Sequence, residues 1–544
     1  MQGRSIRFLH SHKLFIIGTI LLSFLFLYLL STHMLNPIGS NLYSGGSTWA
    51  DLAMHLSLIT NFSERGLSLL ESSPIYSGVK LNYPFLMDFI SSIFLKSGFS
   101  LRLSLIIPSL IMLAGVIILI YALSYKMTKS KVGSFFVPFL FFFNGSIFGV
   151  YYFWQDKMAS SHSLFSFLNN MQKEYAHLAD YNIRFSNIIA DYILPQRAII
   201  LGLLIGIASI YFLWQYFDQR RKKDLLKAAF LISILPLAHV HSFAAISMAS
   251  VFLSVIDIFI ARGYRRRTLK NWIQFFLIII IISTPQLLLI SPIDKSNFIR
   301  IYLGWMRDPN ESILWFWIKN LSPHLFIFFL SFLIAPRKIR NFFLPFFLVF
   351  ILTNIIIFQP HNYDNMKIML YTFLLSCILT VFLLDYIIKK LSKKAVFLIL
   401  PLLISLTLSG FLSVYRETYV SWQMFSREDV DLARFVKENT AKNSLFLTSD
   451  QHNNPIPTLG GRGIIMGYRG WLWTYGINYS IRQADVYTMY EGGEESEFFL
   501  KKYGVNYVLI EQAKRGDFRM NENYFARNYT IVYKSQNYKL YKIN

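Results

Sequence analysis

Cysteine is nearly absent: the 544-residue chain has one, Cys377, inside an apolar run, which excludes disulfides and cysteine-metal centres. Charge is scarce as well, at 15% of residues against 54% hydrophobic and 17% aromatic. A soluble protein of this length would need more charge to cover its surface. Acidic residues are the scarcer sign, 30 against 53 Lys plus Arg, leaving a formal net charge of +23. That excess invites a nucleic-acid reading. The basic residues, however, stand in short clusters between apolar blocks, which is a topological pattern, and no nucleic-acid partner is expected. Phosphate-loop signatures are missing too, both the Walker type and the dinucleotide-binding glycine fingerprint.

What is present is a series of apolar blocks long enough to cross about 30 Å of hydrocarbon. They run approximately 14–32, 103–124, 132–154, 197–217, 225–239, 242–261, 272–291, 314–335, 342–358, 367–388 and 395–415. Basic clusters separate them: Lys126, Lys129 and Lys131; Arg220 to Lys223; Arg262 and Arg265 to Arg267; Arg337, Lys338 and Arg340; Lys389, Lys390, Lys393 and Lys394. With the N-terminus inside and its first block retained as a span, about eleven crossings place every cluster on the cytoplasmic face and the C-terminus outside. Two blocks are less regular. Pro236 and the His239–His241 turn divide 225–261, and Lys319, Pro323 and His324 leave the first half of 314–335 as an interfacial candidate.

The expected fold is therefore a polytopic α-helical membrane domain over 1–415, followed by a small extracytoplasmic α/β domain over 416–544. Loops on the outer face are long, 33–102 and 155–196, whereas the inner connections are brief. The first holds FLMDFISSIF, too short to span and readable as an interfacial or re-entrant helix. After Tyr415 charged and apolar residues mix. The pattern predicts a helix ending near Asn439, a strand at SLFLTS, a Gly-rich loop, a helix over 494–502, and strands at VNYVLI, TIVYKS and YKLYKI.

Candidate functional residues gather in the outer segments. Asp51 and His55, four apart in WADLAMH, share one helical face, and Asp51 follows a Gly-Gly pair beside Trp49. A carboxylate there can take a proton from an acceptor hydroxyl or hold a divalent cation, or it can simply favour a helix N-terminus. Tyr83, in LNYPF, belongs to a turn that can touch a ligand. Gln196 and Arg197 open the fourth span, where an arginine either snorkels or clamps a lipid-linked phosphate. His239 and His241 fit either a helix cap or part of a metal site. Asp364, Asn365 and Lys367 suggest a polar pocket at the entry of the tenth span. In the tail, His452 and Arg469 are further candidates for substrate contact.

A first span, a long outer loop carrying WADLAMH, many further spans and an α/β tail containing KKYGVNYVLI together resemble the GT-C superfamily of membrane glycosyltransferases. That superfamily includes the protein O-mannosyltransferases and the oligosaccharyltransferase catalytic subunits. The resemblance implies sugar transfer from a polyprenyl-phosphate donor to a glycan, lipid or protein acceptor at the extracytoplasmic face of the cell membrane. Asp51 matches the acidic residue that serves the family as base or metal ligand, and a divalent cation, Mg or Mn, is implied as a cofactor rather than fixed by the residues. Arg197 and Lys367 would then neutralise the departing lipid phosphate. The chain departs from the family where Leu52 follows Asp51 in place of a second acid, and it lacks the second-loop DxD and the WWD-type signature. Lipid or solute transport is the competing reading. It would call for internal repeats and mid-membrane charges, whereas here the spans look dissimilar and the polar residues gather at their ends. A non-catalytic envelope scaffold is the third.

Overall fold

Each of the eleven apolar blocks folds as helix, though not each as one uninterrupted span. The computed structural model describes residues 12–291, 298–512 and 518–543. Among these, seven helices are long and apolar enough to cross a membrane: Lys13–His33, Leu101–Thr128, Arg197–Gln219, Val240–Ile260, Arg265–Leu289, Asn362–Leu391 and Val396–Glu417. Two further blocks are bent pairs, bringing the number to nine at most if each pair is one span. The blocks expected at 225–239 and 342–358 form shorter helices, Lys222–Ser233 with Leu235–Ala238, and Arg337–Thr353.

Burial separates two kinds of long helix. Only 22% of the apolar window of Arg265–Leu289 and 28% of those of Lys13–His33 and Val396–Glu417 is covered by protein. Such exposed apolar faces require lipid as their solvent. Asn362–Leu391 is 83% covered and forms the centre of the helical packing. Close approach to it depends on small residues. A Cβ at Gly206 would stand 2.4 Å from the Tyr371 hydroxyl, and one at Gly202 would stand 2.6 Å from the His239 Cβ. Tyr371 then donates to the Gly202 carbonyl at 3.0 Å.

The expected single span at 132–154 is broken by 56° between Lys131–Phe142 and Ile147–Ala159. Helix ends inside apolar surroundings leave carbonyls that need donors. Here Asn187 supplies them, its Nδ2 donating to the carbonyls of Phe142 at 3.0 Å and Asn144 at 3.1 Å. Gly410 allows the bend to close, since a Cβ there would fall 2.2 Å from the Phe143 carbonyl oxygen. The block at 314–335 bends by 93° between Ile313–Leu321 and His324–Ile334, where the sequence carries Pro323.

The chain divides into two units. One comprises the described residues of 1–30, 109–286 and 297–420, and holds most of the helical packing above. The other comprises the described residues of 31–108, 287–296 and 421–544, so the tail belongs with the first long loop. Its five-stranded mixed sheet has the order Gly463–Ile464, Leu445–Leu447, Tyr507–Glu511, Tyr538–Lys542 and Thr530–Lys534. The first three strands are parallel and the last two antiparallel. Leu432 and Val436 of the helix Arg427–Asn439 pack on Phe446, Leu509 and Leu540 of this sheet. A second, three-stranded antiparallel sheet has the order Asn36–Ile38, Asn41–Ser44, Trp422–Phe425. The helix Thr48–Arg65 is stitched to the tail through Thr60 and Asn61, whose side chains donate to the Pro457 carbonyl at 3.0 and 3.2 Å. The expected short helix of the first loop is Leu86–Lys96.

Candidate functional site

The break in the helix at Phe142–Ile147 positions the segment that follows it. Asn187 turns its amide toward the broken end, while its Oδ1 accepts from the backbone N–H groups of Ile189 and Ala190 at 2.9 and 3.1 Å. It thereby caps the wide turn Ile189–Ile193, which carries Asp191. A second fastening comes from Val396–Glu417. Ser409 Oγ donates to the Tyr175 carbonyl at 2.7 Å, and the Ala176 N–H donates to Ser413 Oγ at 2.9 Å. These bonds fix the backbone on which Glu174 and His177 stand.

One potential ligand atom from each of Glu174, His177 and Asp191 lies within 4.8 Å of the other two, and all three side chains are half-buried. His177 Nδ1 is 2.9 Å from Asp191 Oδ2, and the Tyr363 hydroxyl donates to the same oxygen at 2.9 Å. Tyr363 also bonds Ser186, and its ring stacks on His177 at 5.3 Å and on Tyr192 at 5.7 Å. Glu174 Oε1 is buried with no hydrogen-bond partner. Burial and then the charge of Asp191 push Glu174 well above the usual carboxylate range. Asp191 is driven the other way: burial alone would raise it, but the bond and charge of His177, with Ser186 and Tyr363, hold it below the ordinary value. Two neighbouring carboxylates with separated proton affinities, one of them with an unsatisfied buried oxygen, form a site suited to a shared proton or a cation.

Next to Tyr363 the polar surface continues. Asp364 pairs with Lys367 at 2.8 Å, and the charges of both act on His241. His241 bonds Gln359 Oε1. Arg300 holds the same loop, donating to the Pro360 carbonyl at 2.8 Å and to Asn362 Oδ1 at 2.6 Å. His239 is buried against Ser242, with Nδ1 2.7 Å from Oγ, and lies 5.0 Å ring to ring from His241. The structure thus brings His239, His241, Asp364 and Lys367 into one neighbourhood.

Other expected site residues take different places. Asn365 is fully buried and donates to the carbonyls of Thr353 at 3.0 Å and Ile356 at 2.7 Å, closing a loop. Arg197 is also fully buried, with Nη2 reaching Ser109 Oγ at 3.4 Å, so a donor phosphate has no direct access to it. Gln196 caps the same helix, its backbone N–H donating to the Tyr192 carbonyl.

In the unit containing the tail, Asp51 stands half-buried in the first turn of Thr48–Arg65. His55, on the same helix, is buried, with Nδ1 2.9 Å from Oδ2 of the fully buried Asp88. That pair locks the helix to Leu86–Lys96. Tyr83 stands edge-on to His55 at 6.2 Å and 5.2 Å from Tyr475.

Sequence reasoning missed Glu174, His177, Asp191 and Tyr363. A signal was present in the second long loop, where an acid stands three residues before a histidine, but Asp191 lies fourteen residues beyond and joins them only through the turn that Asn187 holds.

The assembly of long lipid-facing helices, broken helices and a mixed α/β unit is that of a polytopic helical membrane protein with a GT-C-like fold. The oligosaccharyltransferase of Archaeoglobus fulgidus, crystallised tethered to an acceptor peptide containing the NVT sequon, superimposes with a TM-score of 0.54. The match covers 92% of this chain and 69% of that one at 12% identity. The same enzyme complexed with Zn and sulfate gives 0.52 over 92% and 68% at 13% identity. ArnT from Cupriavidus metallidurans, bound to undecaprenyl phosphate, matches over 98% of both chains at 10% identity with a TM-score of 0.49. No protein-family profile and no curated sequence matches the chain.

Proposed function

We propose that the protein is a membrane glycosyltransferase that moves a sugar from a polyprenyl-phosphate carrier to an acceptor at the extracytoplasmic face. The observation that carries this reading is the Glu174–His177–Asp191 cluster, with its orphaned carboxylate oxygen, which Tyr363 joins to the loop held by Arg300 and followed by Lys367. A site that must receive a charged phosphate and release it needs cationic counter-charge that protein carboxylates can neutralise when the ligand leaves. The GT-C-like fold is in accord with it.

In the reaction the acceptor hydroxyl oxygen bonds to the anomeric carbon as the bond from that carbon to the phosphate oxygen breaks. The hydroxyl proton passes to a carboxylate, and the polyprenyl phosphate leaves with the bonding electrons. Asp51 is assigned as the base on its match to the acidic position of GT-C enzymes alone. Lys367, with Arg300, supplies positive charge to the departing phosphate, and Arg197, being buried, acts through its field alone. A divalent cation held by Glu174, His177 and Asp191 would add Lewis-acid charge at the same phosphate. The two carboxylates and one imidazole suit Mn or Zn better than Mg, which prefers oxygen donors and its own waters.

The test uses purified full-length protein in proteoliposomes with a radiolabelled polyprenyl-phosphate sugar. Transfer is expected from the wild type, with Asp51→Asn and Asp191→Asn each reducing it by at least a hundredfold while both variants fold. Equal transfer by the wild type and both variants would sink the assignment.

A further inference from the structure

Within the unit that carries Asp51 there is an open cavity of about 330 Å³. Its size lies at the small end of the range for ligand pockets, roughly 300–1,000 Å³. Trp49, His452 and Tyr468 form its aromatic wall, and Asp450, Gln451, Asn453 and Arg469 are its other polar groups.

The aromatic wall is built in advance of any ligand. Trp49 donates through Nε1 to the Gln423 carbonyl at 3.2 Å, which fixes its indole on the strand Trp422–Phe425. His452 stands edge-on to that indole at 4.1 Å, and Tyr468 stands 5.8 Å from His452 and 5.4 Å from Trp471. Tyr468 is 43% exposed, so its ring faces solvent while its neighbours are packed. Rigid, half-exposed rings offer contact area at little ordering cost.

The polar groups identify what would lie on those rings. Asp450 and Arg469 are paired at 2.6 Å, so each compensates the other and the cavity presents no net charge of either sign. That disfavours a phosphate or a carboxylate, which would have to displace Asp450 from the guanidinium. A neutral molecule with many hydroxyls fits instead, because the carboxylate accepts, the guanidinium donates and the Asn453 amide does both. Its remaining surface must be flat and apolar enough for Trp49 and Tyr468. A pyranose ring combines those properties. Trp49 also stands two residues before Asp51 in the same first turn of helix.

We infer that this cavity is a saccharide-binding subsite that seats the terminal sugar of a glycan acceptor. The inference rests on the glycosyl-transfer reading for the identity of Asp51, but the binding itself does not depend on that reading.

The experiment is saturation-transfer NMR on the full-length protein in lipid nanodiscs, with mannotriose, cellotriose and chitotriose as probes. At least one trisaccharide is expected to bind, with saturation strongest on ring C–H protons. Trp49→Ala is expected to weaken it at least tenfold. Tyr468→Ala, at an exposed position that does not endanger folding, should do so in the same direction. Binding of no trisaccharide, undiminished binding in both aromatic variants, or occupation of the cavity by an Asn-Val-Thr peptide in preference to sugars would overturn the inference. Sugar binding without any sugar transfer by the wild type would leave the subsite standing and remove the transferase reading. Undiminished transfer to a glycan acceptor by both aromatic variants would remove the subsite alone.

Discussion

Gly149 lies on the helix Ile147–Ala159, where a Cβ would meet the Tyr175 carbonyl oxygen at 1.9 Å and Ser409 Oγ at 2.3 Å. Ordinary contacts of this kind are 3.4–4 Å, so Gly149→Ala must displace the backbone of residue 175. No side-chain rotation can relieve the clash, because the obstructing atom is a carbonyl oxygen already bonded to Ser409. Overpacking of a fitted interface costs about 1–3 kcal/mol. Glu174 adjoins Tyr175 and His177 lies two residues beyond, whereas a metal site tolerates displacements of only about 0.2 Å in its ligand distances. The substitution is therefore expected to weaken Mn or Zn binding by roughly 10–100-fold, the loss typical when a ligand's support is removed. Isothermal titration of the full-length protein in detergent measures the affinity, and its thermal unfolding midpoint reports the packing cost. An alanine variant with wild-type affinity and midpoint would refute the claim that this close approach holds the cluster in place.

Three further outcomes are expected. His177→Ala and Glu174→Gln should each lower Mn or Zn affinity at least tenfold in the same titration with little change in helix content by circular dichroism; retained affinity in both would exclude the cluster as a cation site. Asp51→Asn should abolish sugar transfer while leaving the cation affinity of the wild type, since Asp51 is not among the three clustered residues. Arg462, 1% exposed, gives five hydrogen bonds to Thr440 Oγ1 and to the carbonyls of Lys437, Thr440, Gly460 and Gly461. Arg462→Lys leaves at least two of these unmade and should destabilise its unit by about 3 kcal/mol, read as faster amide exchange across the sheet strands.

The parts of the fold legible in the sequence are those whose signal is local. Apolar length announced the helices, and alternation announced the strands Tyr507–Glu511, Thr530–Lys534 and Tyr538–Lys542. Lys319, Pro323 and His324 marked 314–335 as irregular with an interfacial first half, and the block bends by 93° there. The break at Phe142–Ile147 was not foreseen because its cause is distant: Asn187 and Gly410 complete it from elsewhere in the chain. The same holds for the candidate site. His239, His241, Asp364 and Lys367 drew notice as polar residues at span ends and do meet. His55 was expected on a ligand-facing surface, yet Asp88, thirty-three residues on, holds it buried through a hydrogen bond. Glu174, His177 and Asp191 share no motif spacing; two separate hydrogen-bonded fastenings bring them together.

The most direct test of the central claim is whether the purified protein in proteoliposomes cleaves a polyprenyl-phosphate sugar, measured as release of free polyprenyl phosphate in the presence of Mn and an oligosaccharide acceptor. Release by the wild type is expected, accompanied by stoichiometric glycosylation of the acceptor, with its loss when Glu174, His177 and Asp191 are replaced together. Movement of the intact donor across the bilayer with no polyprenyl phosphate released would contradict it.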